Sequence, residues 1–284
     1  MKTLDSHTGR CLPVYPHPIL NLECSSGEKF LIISDVHIGW EERLRKAGLK
    51  VDLSGNVIEM VRVLLDVQHK TGISNLIILG DLKSSTSIIT KSEWGNVPLF
   101  IRTLEKSFNI FIIPGNHDGK LSHLLPLNTN LLLPSGFRID DVLLFHGHTR
   151  PRITSDINRI IIGHLHPVLK KDGSIFNNSK VWVKIVLSKI ISRHGKNQEE
   201  RNIEIIILPH FNELIDYYSK SSKIRVGPPN KSKLPFLDML IYKQHWTLLN
   251  GYMYSTDGTL VGTLQDVMTL LYGTSSNQRA ETLN

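Results

Sequence analysis

Phe30-Leu31-Ile32-Ile33-Ser34-Asp35-Val36-His37 is an apolar run that stops on a carboxylate and, two residues later, an imidazole. Alternate residues of a strand point the same way, so Asp35 and His37 reach one point at its end. A carboxylate oxygen and an imidazole nitrogen meeting there suit a divalent metal such as Mn²⁺, Fe or Zn²⁺. Alone the pair says little, because a strand-terminal Asp near a His is commonly a turn residue beside a surface His. Its weight comes from recurrence further down the chain.

Asn75–Leu79 ends on Gly80-Asp81, and Ile110–Ile113 runs into Pro114-Gly115-Asn116-His117-Asp118. Val142–Phe145 ends on His146-Gly147-His148, and Arg159–Ile162 on Gly163-His164-Leu165-His166. Helical stretches separate the early strands: the charged segment 41–48, an apolar stripe over 57–67 closed by Gly72 as C-cap, and residues 92–107. Strand–helix alternation with near-continuous apolar strands predicts an α/β layered fold, helices covering a central sheet. Ligands in such folds collect at the carboxyl ends of the strands, where all five polar clusters sit.

The flanks have a different character. Residues 1–29 read as a short hairpin or extended arm. From Ser174 onward, hairpins are expected: strands at Val181–Leu187 and Ile203–Leu208 around a polar loop Ser192–Asn202. An exposed linker over Lys220–Lys233 follows. Short strands are then expected at Met239–Tyr242, Tyr252–Tyr254 and Leu260–Val261, around turns at Asn250-Gly251 and Asp257-Gly258, with a fraying tail from Thr274. This divides the chain into a main domain, 1–230, and a C-terminal β extension, 231–284, packed on it.

The 284 residues, 40 % hydrophobic and 21 % charged, have an ordinary globular composition. Cys11 and Cys24 make no ligand motif and no disulfide framework, which fits a reducing cytosol. The polar N-terminus lacks a signal-peptide core, and no apolar run approaches ~18 residues, so a cytoplasmic protein without membrane contact is expected. Net charge is +7. Eight Lys/Arg between Lys170 and Arg201 stand against Asp172, Glu199 and Glu200. This segment reads either as a patch attracting the phosphates of DNA or as a solvated face.

Collected, the candidates are Asp35, His37, Asp81, Asn116, His117, His146, His148, His164 and His166. A carboxylate such as Asp81 can bridge two cations, and two adjacent cations suit phosphoester hydrolysis. A non-ligating imidazole nearby can protonate the leaving oxygen. The remaining seven histidines belong to no cluster, and Trp182 is expected to pack rather than to stack a base.

Asp35-x-His37, Gly80-Asp81, Gly115-Asn116-His117-Asp118, His146-Gly147 and Gly163-His164-x-His166, in this order, resemble the calcineurin-like metallophosphoesterases. Gly80-Asp81-Leu82-Lys83, His146-Gly147-His148 with Pro151, and Pro209-His210-Phe211-Asn212-Glu213 look more narrowly like one branch. That branch comprises archaeal phosphoesterases related to the nuclease subunit SbcD, akin to ligase-associated DNA endonucleases. The resemblance implies a four-layer α/β/β/α sandwich with two central sheets. It also implies two divalent metal ions, taken as Mn²⁺ with Fe or Zn²⁺ as alternatives. Asp35, His37 and His166 would hold one metal, Asp81 would bridge, and Asn116, His146 and His164 would complete the other site. His117 would be the general acid, oriented by Asp118, and Asn116 would also touch the phosphate. His148 and Lys83 are expected on the substrate side. The implied activity is phosphodiester hydrolysis, on DNA with a repair-protein partner or on a small cyclic nucleotide. Protein phosphatases of the superfamily carry Asp-Arg-Gly after Gly-Asp and Glu after Asn-His, whereas this chain has Leu82-Lys83-Ser84 and Asp118. A non-catalytic scaffold would have shed ligands, and none is missing.

Overall fold

The computed structural model describes residues 9–52, 54–193, 197–216 and 231–273. The arm folds as a hairpin of β1 (Arg10–Pro13) and β2 (Leu20–Glu23), followed by β3 (Lys29–Ile33). Then come α1 (Trp40–Lys46), α2 (Gly55–Thr71), β4 (Asn75–Leu79), α3 (Lys91–Leu104), β5 (Asn109–Ile113) and β6 (Asn130–Leu131). These strands form a sheet in the order β1-β2-β3-β4-β5-β6, parallel from β3 onward. As expected, Gly72 closes α2 in a left-handed conformation (φ 70°).

A second sheet is built from β7 (Phe137–Ile139), β8 (Val142–Leu144), β9 (Arg159–Ile162), β10 (Val181–Arg193), β11 (Asn197–Ile207), β12 (Thr247–Ser255) and β13 (Leu260–Gly262). Its order is β13-β12-β10-β11-β9-β8-β7, with β8, β9 and β11 mutually parallel. The C-terminal residues thus add strands to this sheet, and α4 (Pro235–Asp238) and α5 (Leu264–Tyr272) cover its far face.

Strand alternation explains the layering. Leu31, Ile33, Leu76 and Ile78 face α2 and α3, while Phe30, Ile32, Ile77 and Leu79 face the other sheet. There they meet Val142, Leu144, Ile161, Leu208 and Trp182, which packs as expected. Ile160 and Ile162 turn outward toward Phe236, Leu240 and Val267. The molecule is therefore an α/β/β/α sandwich. Burying both faces is why its central strands read as continuous apolar runs.

Three local expectations are corrected. The polar stretch 192–202 is largely strand: β10 and β11 pair continuously from Val183↔Ile207 to Arg193↔Asn197. Backbone pairing sustains this ribbon whatever its side chains. Met239–Tyr242 is helical, a π-turn Met239–Lys243 continuing α4. Pro235 starts that helix, and Phe236, Leu237 and Leu240 bury one face. Asn250-Gly251 lies inside β12, where Gly251 pairs with Ile185 beside a bulge and admits the close packing of Leu264 and Val267. Most of the expected linker and the expected fraying tail lie outside the described residues. Among the described residues no helix is long and apolar enough to cross a membrane.

Candidate metal centre

The ends of β3, β4, β5, β8 and β9 converge where the two sheets meet. Backbone bonds tie the strand-end loops together: Asp35 N–H to Gly80 O, His37 N–H to Asp81 O, and Gly163 N–H to His146 O. The segment after β11 also joins, through Leu208 N–H to Ile162 O and Phe211 N–H to Ser34 O.

The loops after β3, β4 and β9 turn sharply at their polar residues. Asp35 (φ 58°), His37 (φ 45°), Asp81 (φ 52°), His164 (φ 72°) and His166 (φ 44°) all have left-handed backbones. Such conformations are rare for residues with a Cβ and concentrate where function over-determines the geometry. They swing five side chains toward one another. Glycines make room: a Cβ on Gly80 (φ +83°) would enter the His146 ring, and one on Gly163 would overlap Ser34 Oγ and lie 2.6 Å from Asp35 Oδ2.

Two groups of ligand atoms result, Asp35/His37/Asp81/His166 and Asp81/His146/His164, each with its atoms within 4.8 Å of one another. Asp81 belongs to both. His37 Nε2 lies 3.1 Å from His166 Nε2 and 3.5 Å from Asp81 Oδ2, and His166 Nε2 lies 3.0 Å from Asp35 Oδ1. His146 Nδ1 meets Leu79 O at 2.8 Å. With Nδ1 committed there, Nε2 is buried 3.2 Å from Asp81 Oδ2 with no partner besides that carboxylate, and is free to ligate a cation once it gives up its proton. Converging imidazole nitrogens and carboxylates in a buried position are what a divalent cation requires, so these residues fit metal ions. Asn116 is exposed on the loop wrapping Asp81, whose Oδ1 accepts the next N–H, that of His117, at 2.8 Å.

Without a cation, protons compensate the charge. Burial alone would raise the Asp81 carboxyl, but the hydrogen bond and charge of His146, with the charge of His37, hold it down at about 2. Burial opposes charging His146, yet Asp81 and Asp35 push it up to about 9. Burial and the neighbouring His146 lower His164 to about 4. Asp35 is held well below the usual carboxylate range: His166, His146 and His37 outweigh its burial.

His117 belongs to neither group. Its Nδ1 meets Ser84 O at 2.6 Å, and its Nε2 is 3.9 Å from Asp81 Oδ2. The carbonyl of Ser84 therefore orients this ring, which corrects the expectation for Asp118. Asp118 instead accepts N–H groups from Gly115 (2.8 Å), Lys83 (3.2 Å) and Leu82 (3.3 Å), fastening the His117 loop to the loop after β4. Lys83, expected at the substrate, is wholly buried, its ammonium bound to the carbonyl oxygens of His117 and Ser85. A lysine beside a phosphate would be turned outward; this one braces the backbone that carries His117. His148 is half-buried, with its ring 5.6 Å from His146 and a buried Nδ1 lacking a partner.

Other residues had no sequence signal as site residues. Ser34 Oγ donates to Asp35 Oδ2 and is 2.8 Å from Leu79 O. Asn212, fully buried, donates to Val36 O (2.8 Å) and His37 O (3.3 Å) and so holds the His37 loop. His210 lies with its ring 5.6 Å from His166 and bonds Asp216 Oδ1 at 2.9 Å. Asn212 and His210 lie in the stretch 209–213 noted in the sequence, but the loops they meet, at Val36–His37 and at His166, are remote from them in the chain, so no local spacing announces these contacts.

Four cations of the basic segment 170–201 are already engaged. Lys180 pairs with Glu213 (2.7 Å) and Asp216 (3.7 Å), Lys184 with Glu204, and Lys171 with Asp266 (3.8 Å). Arg201 is spent on Thr154 O and Ile157 O beside the Trp246 ring. These acids come from outside the segment: from β11, from the stretch that follows it and from α5.

Residues 28–217 match the family described as calcineurin-like phosphoesterase. No curated protein matches the chain. Among solved structures it is similar to the Pseudomonas putida nuclease MPE, at 15 % identity and TM-score 0.48, over 89 % of this chain and 100 % of that one. It is also similar to the E. coli phosphoesterase Yfce, at 15 % identity and TM-score 0.36, over 84 % and 98 %. An archaeal phosphodiesterase aligns at 16 % identity and TM-score 0.32, over 61 % and 99 %.

Proposed function

The chain belongs to the calcineurin-like phosphoesterase family and is a metal-dependent phosphoesterase, and from that premise we propose that it hydrolyses phosphodiesters, specifically those of DNA in repair. The observation that carries the reading is the pair of ligand groups sharing Asp81, with His117 beside them and outside both. In this reading Asp35, His37 and His166 would hold one divalent cation, Asn116, His146 and His164 the other, and Asp81 would be shared between them. Mn²⁺ is the first metal to test; Fe and Zn²⁺ share the nitrogen and oxygen donors. Cations there supply charge at the phosphoryl oxygens and lower the pKa of the attacking water.

The chain's own residues do the rest. Ser84 O fixes the His117 ring through Nδ1, leaving Nε2 to give its proton to the leaving alkoxide, so that a diester yields a monoester and an alcohol. Lys83 and Asp118 hold the loop on which His117 rides. Lys83 therefore offers no charge to a phosphomonoester dianion, which supports a singly charged diester. Nucleic acid as that diester is supported by the likeness of Gly80–Lys83, His146–His148 and 209–213 to the DNA-repair branch.

The test is hydrolysis by metal-stripped protein with and without Mn²⁺. Bis-p-nitrophenyl phosphate, the matching monoester, a 2′,3′-cyclic nucleotide and labelled single-stranded DNA are offered in parallel. Metal-dependent cleavage of diester and DNA, abolished by Asp81→Asn, is expected. Cleavage of the cyclic nucleotide with DNA left intact would move the substrate to a small molecule, and preference for the monoester would refute the reading.

A further inference from the structure

The exposed side of α3 carries a surface that the fold does not explain. Lys91, Trp94, Gly95 and Arg102 lie on it at helical spacing. Trp94 is 52 % exposed, whereas Trp40, Trp182 and Trp246 are each at most 8 % exposed. Gly95 sits mid-helix with nothing within 4 Å of where a Cβ would stand, so no neighbour demands a glycine. Its choice over alanine costs about 1 kcal/mol of helix stability.

Beside this face lies a cleft of about 720 Å³, lined by Arg45 and Lys46 of α1 and by Lys91 and Gly95 of α3. The three cations are exposed, and none has a carboxylate partner among the described residues. Glu42, the acid lining the cleft, is engaged by the Ser92 N–H at 3.2 Å. The contrast with Lys171, Lys180 and Lys184, each matched to an acid, is direct. The two helices that wall the cleft also reach toward the metal centre. Helix α1 begins three residues after His37, and Glu93 of α3 accepts the N–H groups of Ser84 and Ser85, next to the carbonyl that orients His117.

We propose that this cleft and the adjoining face of α3 bind an unpaired stretch of nucleic acid. Arg45, Lys46 and Lys91 take backbone phosphates, Trp94 stacks a base, and the bare backbone at Gly95 lets the strand approach the helix closely. Free cations beside an exposed indole are the pairing that single strands use, since each base has a face to stack and each linkage a charge. A paired base has no free face for the indole. The inference rests on the nuclease reading and names where that substrate is gripped.

Binding is measured apart from cleavage, with full-length protein in chelator and labelled oligothymidylate followed by anisotropy. Indole fluorescence is recorded alongside, since Trp94 is the exposed tryptophan that a base can quench. Expected are quenching on binding and an affinity roughly tenfold weaker in Trp94→Ala. In Arg45→Ala/Lys91→Ala the dependence of log Kd on log salt should flatten by about 1.4. Lys184→Ala/Lys189→Ala should bind as wild type, and a duplex should bind more weakly. No binding, equal binding of duplex and single strand, or losses confined to the Lys184/Lys189 variant would overturn the proposal. Binding that depends on Trp94 in a protein cutting no DNA with any metal would sink the nuclease reading and leave this surface standing. DNA cleavage with binding indifferent to Trp94 would do the reverse.

Discussion

Asn212 is the residue whose replacement tests the architecture of the site most sharply. Its amide donates to Val36 O and His37 O, and its Oδ1 accepts from Leu214 N–H (2.9 Å) and Asn56 Nδ2 (3.2 Å). Asn212→Ala leaves Val36 O without its donor in a region where Val36, His37 and Asn212 are each at most 1 % exposed, while His37 O keeps the Trp40 N–H at 3.0 Å. A buried polar group left unpaired costs ~1–3 kcal/mol. The partners at Asn56 and Leu214 are half-buried and regain water. The expected loss is thus about 1–3 kcal/mol, or a fall in Tm of roughly 3–9 °C for a chain of this size. Asn212→Asp should be worse, because it turns an acceptor toward two carbonyl oxygens. Since Asn212 holds the loop carrying His37, Mn²⁺ affinity should fall with stability. Thermal melts in chelator give the first quantity and titration calorimetry the second. An Asn212→Ala protein that melts within 1 °C of wild type and binds Mn²⁺ as tightly would refute this account of how the loop is positioned.

Three further outcomes follow from the same geometry. Gly163→Ala, whose methyl would overlap Ser34 Oγ, should cost about 1–3 kcal/mol or more and weaken metal binding. Gly119→Ala, with its nearest neighbour at 3.6 Å, should be nearly neutral in the same melts. Metal uptake should be coupled to protons. With His146 pushed up to about 9, the metal-free protein carries an imidazolium that a cation must displace. Calorimetry at pH 7 in buffers of different ionisation enthalpy should show net proton release, and none would contradict the assignment. The sign for stability follows: a raised imidazole stabilises fully below its unfolded value of about 6.5, and that contribution fades as pH rises toward 9. Melts of metal-free protein should therefore drop between pH 6.5 and 8.5, and those of loaded protein should drop less. Lys83→Met should lower kcat through the His117 loop and leave the KM for a small diester unchanged. A raised KM with unchanged kcat would mean that Lys83 touches the phosphate after all.

The strand ends were legible from position alone. An apolar run that stops on Asp, His or Gly-Asp needs only period-two alternation to place its polar end, and the ends of β3, β4, β8 and β9 bring their carboxylates and imidazoles together. Helices α1, α2 and α3 were legible for the same local reason, as was the cap at Gly72. What only the tertiary structure decided depends on residues far apart in the chain. The sheet to which residues 247–262 belong follows from pairing with β10, and the hydrophobic pattern of a short strand does not choose its neighbour. Lys83 turns inward because the carbonyls of Ser85 and His117 need a donor. Asp118 serves backbone N–H groups across the loop rather than the adjacent imidazole. Lys171, Lys180 and Lys184 lose their free charge to acids supplied by distant elements, while Arg45, Lys46 and Lys91 keep theirs in a cleft assembled by two helices. Local sequence sets which way a side chain leaves its strand. Whether it meets a cation, a carbonyl or water is set by the element folded against it.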